Sequence, residues 1–585
     1  MSTLSRQAVI NRRLPFVIGF LILISAALLF AVSRYQWLPP DVQREFVLRG
    51  RDNVSSVRRL PAERGIIYDR GGIPLAFNTI EYEIGVSPNL ITSDRRIEVA
   101  RQLALILQRD EYDLLRRISR PTQWELIARP VSAEVGQRIA DLNLFGVVIN
   151  PLSRRLYPQQ ALLGPVLGFV IEDGDKTRGA IGVEGSYNSQ LAGQALRQEV
   201  RTVPFDLPTE QRELGQRGMS LVLTIDRDIQ FWVEEELRQA VERYQATGGT
   251  IIVMNPRNGD ILAMASYPTY DPNRFTEVRN PRDLNNPAIS QVYEPGSTFK
   301  VLTVAAALEM GVIGPNWTYN DQGSLLVGGI TVQNWDRQAH GLTDATQALV
   351  QSLNVGLATI ALEMGPTEFY SRIRAFGIGQ PTRVDLPGEE AGILKVPGDP
   401  DWSESNLATN SYGQGLSVTP LQLLTAVNAI ANDGLMMQPR IVTQMIDGQN
   451  VIDSQPSAMR RAVSQQTAQT VTQMMVQIIN DPNGSPKAAL PGYTVAGKTG
   501  TAEIPSPMGY ERGPTSSIAS FVGFLPADDP QISVLVKLDR PVGYWGNETA
   551  APLFRRLAER LVLLLDIPTD EIRARLRAGG GQVGD

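Results

Sequence analysis

A serine three residues ahead of a lysine, at the start of an apolar helix, is the arrangement in this chain best suited to chemistry. In Glu294-Pro295-Gly296-Ser297-Thr298-Phe299-Lys300 a Pro-Gly turn delivers Ser297, and Val301, Leu302, Ala305, Ala306, Leu308 and Met310 follow at helical spacing. Ser297 therefore sits at or just inside a helix N-terminus, with Lys300 one turn along the same face. A serine hydroxyl needs a neighbouring base to attack a carbonyl, and a desolvated lysine can be that base. Only six of the 55 basic residues are lysines (176, 300, 395, 487, 498 and 537). Arginine cannot release its proton at workable pH, so a lysine in such a motif reads as a group that must.

Two further motifs follow in chain order. Ser352-Leu353-Asn354 lies 55 residues after Ser297, and Lys498-Thr499-Gly500-Thr501 begins 146 residues after Ser352. The second is a weak pattern alone, since Ser87-Pro88-Asn89 and Ser186-Tyr187-Asn188 also match it. Taken together, each position has a chemical reason. Ser297 attacks while Lys300 takes its proton; Ser352 relays that proton toward a leaving amine; Asn354 holds a substrate amide. Lys498 adds a second positive charge that lowers the pKa of Lys300 and attracts a carboxylate. The Lys498-Thr499-Gly500 strand is expected on a sheet edge, where Gly500 lets a peptide approach and pair as an added strand. Backbone N–H groups of Ser297 and Thr501 would form the oxyanion hole. The bland alternatives are a helix cap at Ser297 with Lys300 in solvent, and a strand-end cation at Lys498.

Composition removes other chemistries. There is no cysteine and a single histidine, His340, so thiolate catalysis and a multi-histidine metal site are excluded. His340 has no GxSxG serine to serve. No cofactor is expected. A net charge of -6 gives no polycationic footprint for nucleic acid.

The elements that must position these residues begin at a membrane. Leu14 to Val32 runs nineteen residues without a charge, enough for one spanning helix. Arg6, Arg12 and Arg13 precede it, which puts residues 1–13 in the cytoplasm and everything after the helix (14–35) outside. An uncleaved anchor is expected rather than a signal peptide, with Tyr35-Gln36-Trp37 as its interfacial belt. Residues 36–217 read as a mixed N-terminal pedestal with helical character over Ile97–Ile118. Within it Arg64–Gly72, Arg155–Pro158 and Gly182–Tyr187 read individually as glycine turns stabilised by ion pairs. Residues 218–567 read as an α+β domain. Helix Ile229–Tyr244, a hairpin of 250–254 with 261–265, and strands 493–496, 518–525 and 532–538 form an antiparallel sheet around a helical insertion (297 to about 433), with Ala551–Leu565 as the last helix. Residues 568–585 are expected to be a tail.

The three motifs, in this order, resemble the penicillin-binding protein and serine β-lactamase superfamily. Arg64–Gly72, Arg155–Pro158 and Gly182–Tyr187, with Ser411-Tyr412-Gly413-Gln414-Gly415 and Val418–Gln422, resemble class B high-molecular-weight penicillin-binding proteins. That resemblance implies a peptidoglycan D,D-transpeptidase anchored in the inner membrane, acylated at Ser297 by D-Ala-D-Ala stem peptides or by β-lactams. It also implies a SEDS-type membrane glycosyltransferase as partner, met through the membrane helix and the N-terminal region. EPGSTFK and SxN lean toward the division-type subgroup. A β-lactam sensor, a β-lactamase and a non-catalytic activator of the polymerase are the rival readings. The sensor predicts several membrane helices, and the lactamase needs a deacylating base.

Overall fold

The computed structural model describes residues 3–36, 55–60, 62–173, 176–194, 196–201, 216–314, 316–507 and 509–579. Trp37, expected as part of the aromatic belt, lies outside them. One compact unit comprises residues 1–62 and 194–216. It contains helix Thr3–Gln36 and an antiparallel pair, Ser55–Leu60 with Leu196–Arg201. Within the helix, the 21 residues Arg13–Ser33 include an 18-residue window of mean hydropathy 2.7, long and apolar enough to cross a membrane.

The second unit, residues 63–193 and 217–585, holds the site. Its centre is a five-stranded antiparallel sheet in the order Ile261–Tyr267, Gly248–Met254, Ile532–Asp539, Ser517–Leu525, Ala496–Glu503. Period-two alternation explains the two cores. Ile251, Val253, Val534, Val536 and Leu538 face helices Arg227–Arg243 and Ala550–Leu564. Ile252, Met254, Val522 and Leu535 face the helical lobe on the other side. Both faces are covered, so the central strands are apolar throughout. The lobe is built on helix Pro420–Ala431, all of whose residues are buried, and on Lys300–Glu309, buried from Lys300 to Ala307. A helix apolar all round belongs inside a protein.

The sheet beside this core crosses the boundary expected at 217/218. Strands Asn450–Asp453, Val442–Asp447, Ser220–Leu223, Ile67–Tyr68, Pro74–Val86 and Glu125–Val131 are neighbours in one sheet. Leu221 and Leu223 are fully buried, and Ile67 pairs parallel with Leu221. Contacts in this sheet thus cross the position of the composition shift. The expected tail also needs correcting. Residues Asp570–Gly579 form a helix, docked where Thr494 donates its N–H and hydroxyl to Asp570 Oδ2, each at 2.6 Å. Arg573 meets Asp570 and Asp528 there. Residues 580–585 lie outside the description.

The three N-terminal motifs converge on one buried carboxylate. Glu184 accepts from Arg64 Nε at 2.5 Å and from Arg155 Nε at 2.7 Å, with Tyr157 OH at 3.3 Å. Arg64 also reaches Asn188 and the Glu184 carbonyl, while Arg155 reaches the Gly65 carbonyl. Burial alone would raise the Glu184 pKa, but the two guanidinium groups outweigh it and hold it below the usual value. Removing the shared anion leaves two buried cations facing each other. Glu184→Ala is expected to cost about 3–5 kcal/mol, measured by denaturant unfolding of the full chain. A loss under about 1 kcal/mol would mean that solvent reaches the cluster.

Candidate active site

The nucleophile's turn is a short 3-10 segment, Gly296–Phe299, running into helix Lys300–Glu309. Two strips of chain clamp it. Gly296 takes φ +57°, and its N–H donates to the Gly413 carbonyl at 3.0 Å. A Cβ on Gly413 would lie 2.2 Å from the Gly296 carbonyl oxygen, so only glycine permits this approach. Glu294 accepts from the Gly415 N–H at 3.0 Å, and Thr303 donates to the Ser411 carbonyl at 2.7 Å. The Ser411–Gly415 motif therefore braces the Ser297 turn, a task its residue types alone did not reveal.

Six of the residues expected at the site line one groove of about 820 Å³: Ser297, Ser352, Asn354, Lys498, Thr499 and Thr501. Lys300 lies just beneath. Ser352 holds φ +58°, a left-handed conformation costly for a serine, and so turns its Oγ to within 2.9 Å of Ser297 Oγ. Lys300 Nζ sits 2.6 Å from the Ser352 carbonyl, 2.8 Å from Asn354 Oδ1 and 3.2 Å from Ser352 Oγ. Lys498 Nζ approaches the same Ser352 Oγ at 3.2 Å. Among the described hydrogen bonds, Lys300 thus reaches Ser297 through Ser352 rather than directly.

Lys300 Nζ donates in all three of these contacts. Its two nearer neighbours are carbonyl oxygens, which only accept; the third is a hydroxyl, which can also donate. Once deprotonated, the amine keeps two N–H groups for the carbonyls and has a lone pair to which the Ser352 hydroxyl can turn its proton. Burial is the main cause of a Lys300 pKa well below the usual 10.5, and the Lys498 charge adds to it. Burial likewise brings Lys498 to about 7. Such lysines cost stability. The unfolded chain restores the ordinary value and binds more protons, so stability rises with pH up to about 10.5. Lys498→Met is therefore expected to melt above wild type at pH 7 and to lose part of that pH slope in a thermal-shift series. Equal melting and equal slope would show that the buried amine costs nothing.

Strand Ala496–Glu503 is the open edge of the five-stranded sheet. Thr499, Thr501 and Glu503 alternate onto the groove side. Gly500 is closely packed. A Cβ there would lie 2.5 Å from Ser520 Oγ, 2.9 Å from Thr298 Cγ2 and 3.0 Å from the Pro295 carbonyl oxygen. Its missing side chain lets the strand close against the nucleophile's turn. Asn354 Nδ2 donates to the Gln333 carbonyl at 2.9 Å, leaving one N–H for a ligand. Tyr412 and Gln414 of the Ser411–Gly415 motif, Glu503 of the edge strand, and Trp335, Tyr544 and Trp545 from two loops also line the groove. Among the described residues no cluster of His, Asp or Glu could hold a metal ion.

Residues 249–559 match the penicillin binding protein transpeptidase domain, and residues 59–223 match the penicillin-binding protein dimerisation domain. Stage V sporulation protein D of Bacillus subtilis is 31% identical, over 93% of this chain and 84% of that protein. The peptidoglycan D,D-transpeptidase FtsI of Buchnera aphidicola is also 31% identical, over 95% and 97%. A crystal structure of penicillin binding protein 3 from Mycobacterium tuberculosis, complexed with aztreonam, is 30% identical, with a TM-score of 0.67 over 88% of this chain and 98% of that one. The chain belongs to the class B penicillin-binding proteins and is a serine-type transpeptidase.

Proposed function

We propose that this protein cross-links peptidoglycan stem peptides from the outer side of the cytoplasmic membrane, through an acyl-enzyme on Ser297. The observation that carries the reading is the chain of contacts Ser297 Oγ–Ser352 Oγ–Lys300 Nζ, at 2.9 and 3.2 Å, on the wall of a groove whose other wall is an open strand edge. A peptide ending in D-Ala-D-Ala would pair with strand Ala496–Glu503, its carboxylate toward Lys498 and Thr499, its upstream amide toward Asn354. Ser297 Oγ attacks the penultimate carbonyl as its proton passes through Ser352 to Lys300. The N–H groups of Ser297 and Thr501 face the developing oxyanion. Ser352 returns the proton to the departing D-alanine, and an acceptor amine repeats the steps in reverse. A β-lactam, with its carboxylate and strained amide, enters by the same contacts. FtsI, as a relative's name, and the helix Arg13–Ser33 support a single-pass, division-type enzyme, and a SEDS-type polymerase is the partner that the family resemblance implies for it.

Intact-protein mass spectrometry tests this. Wild type mixed with a penicillin is expected to gain the mass of one whole drug molecule and to keep it for hours. Loss of the adduct within minutes would favour a β-lactamase, and no adduct would remove the nucleophile assignment.

A further inference from the structure

Two tryptophans bridge the groove and have no task in the chemistry above. Trp335 lies between strands Ile330–Gln333 and Gly341–Asp344, and Trp545 between strand Ile532–Asp539 and helix Ala550–Leu564. Their rings meet edge to face, with centroids 5.7 Å apart and planes at 70°. Both line the groove, yet they are 58% and 43% exposed. Each is tied to a different catalytic wall. Trp335 Nε1 donates to the Gln351 carbonyl at 3.0 Å, one residue before Ser352. Trp545 packs on Tyr544 at 5.0 Å and precedes Gly546, whose N–H donates to Thr501 Oγ1 at 3.0 Å. The ring contact thus spans the same two walls as the 3.2 Å approach of Lys498 to Ser352. Ser352 is the group that hands a proton to the departing amine, so the bridge stands on the side where an amine leaves and its successor enters.

We propose that Trp335 and Trp545 form an aromatic gate that withholds water from the Ser297 acyl-enzyme and so directs its carbonyl to an amine. The inference rests on the function proposed above. In aminolysis the acceptor nitrogen bonds the acyl carbon, the bond from that carbon to Ser297 Oγ breaks, and an N–H proton returns through Ser352 to Ser297. In hydrolysis a water oxygen takes the nitrogen's place and a carboxylic acid leaves instead of an amide. An acceptor carrying carbon and a carboxylate gains contacts with the parted rings, whereas water gains none and waits on spontaneous opening. Neither tryptophan touches the reacting atoms; both are positioning residues.

The test uses the full chain in detergent, a thioester of N-acyl-D-alanine as donor and D-alanine as acceptor, with amide and acid products counted by mass spectrometry. Their ratio does not depend on how fast the acyl-enzyme forms, so a slower first step leaves it unchanged. Trp335→Ala and Trp545→Ala are each expected to shift the ratio toward acid about fivefold, the preference an edge-to-face pair confers, and phenylalanine at either position is expected to restore most of it. Because the Trp545 loop also bonds Thr501, Trp335→Ala decides the matter if Trp545→Ala forms no acyl-enzyme. An unchanged ratio, or a shift toward amide, overturns the gate. Absence of any acyl-enzyme in wild type would instead remove the transpeptidase reading, and the gate with it.

Discussion

Replacing Ser297 with alanine is expected to abolish penicillin labelling and to lower transpeptidation by on the order of 10⁶, the loss seen when an enzyme's nucleophile is deleted. Little else in the groove can take over. Ser352 Oγ is the nearest hydroxyl, but its left-handed backbone and its contacts with Lys300 and Lys498 aim it at Ser297. Thr499 Oγ1 is engaged with Ser485, and Thr501 Oγ1 with the Gly546 N–H. The fold should survive, because Ser297 Oγ is bonded only to Ser352 among the described residues. Peptide mapping of labelled wild type and variant checks the result; a full-strength adduct on Ser297→Ala would place the nucleophile elsewhere.

Lys300→Arg is expected to lower the acylation rate by about 10²–10⁴, the contribution of a positioned general base. The positive charge is kept and the ability to accept a proton is lost. The guanidinium is also larger and planar, while the Lys300 side chain is fully buried against the Ser352 carbonyl and Asn354. A paired Lys300→Met variant separates the two effects. If chemistry dominates, both variants lose acylation, yet Met is more stable than wild type at neutral pH because the depressed lysine is gone. Acylation near the wild-type rate in either variant would overturn Lys300 as the base.

Much of this was legible in the sequence because the motifs are short and local. The Pro-Gly turn before Ser297 fixes a helix start whatever the tertiary context. The runs 518–525 and 532–538 fall within one residue of the observed strands Ser517–Leu525 and Ile532–Asp539. Local signals failed where packing decided the outcome. Tyr493–Val495 looks like strand but runs up to the edge strand, which begins at Ala496. The helical stretch 97–118 is two helices, broken where Gln108 turns left-handed and Asp110 caps the second through the Asp113 N–H at 2.7 Å. The scarcity of lysine also misleads in one case. Lys537 is as buried as Lys498, but it pairs with Asp539 and lies 5.3 Å from the centre of the Tyr293 ring. A buried lysine with a carboxylate beside it is a structural cation; one facing only carbonyls and hydroxyls is a candidate base. The sequence has no means of separating the two, since the partners come from distant parts of the chain.

The most direct test of the whole account is the pH dependence of the acylation rate constant for a penicillin at saturating stability of the fold. With an uncharged Lys300 as base, the rate falls as acid protonates it and reaches its plateau well below the ordinary lysine pKa of 10.5. A rate that keeps climbing through pH 10 would mean that Lys300 is an ordinary ammonium at neutral pH, and the mechanism built on it would be wrong.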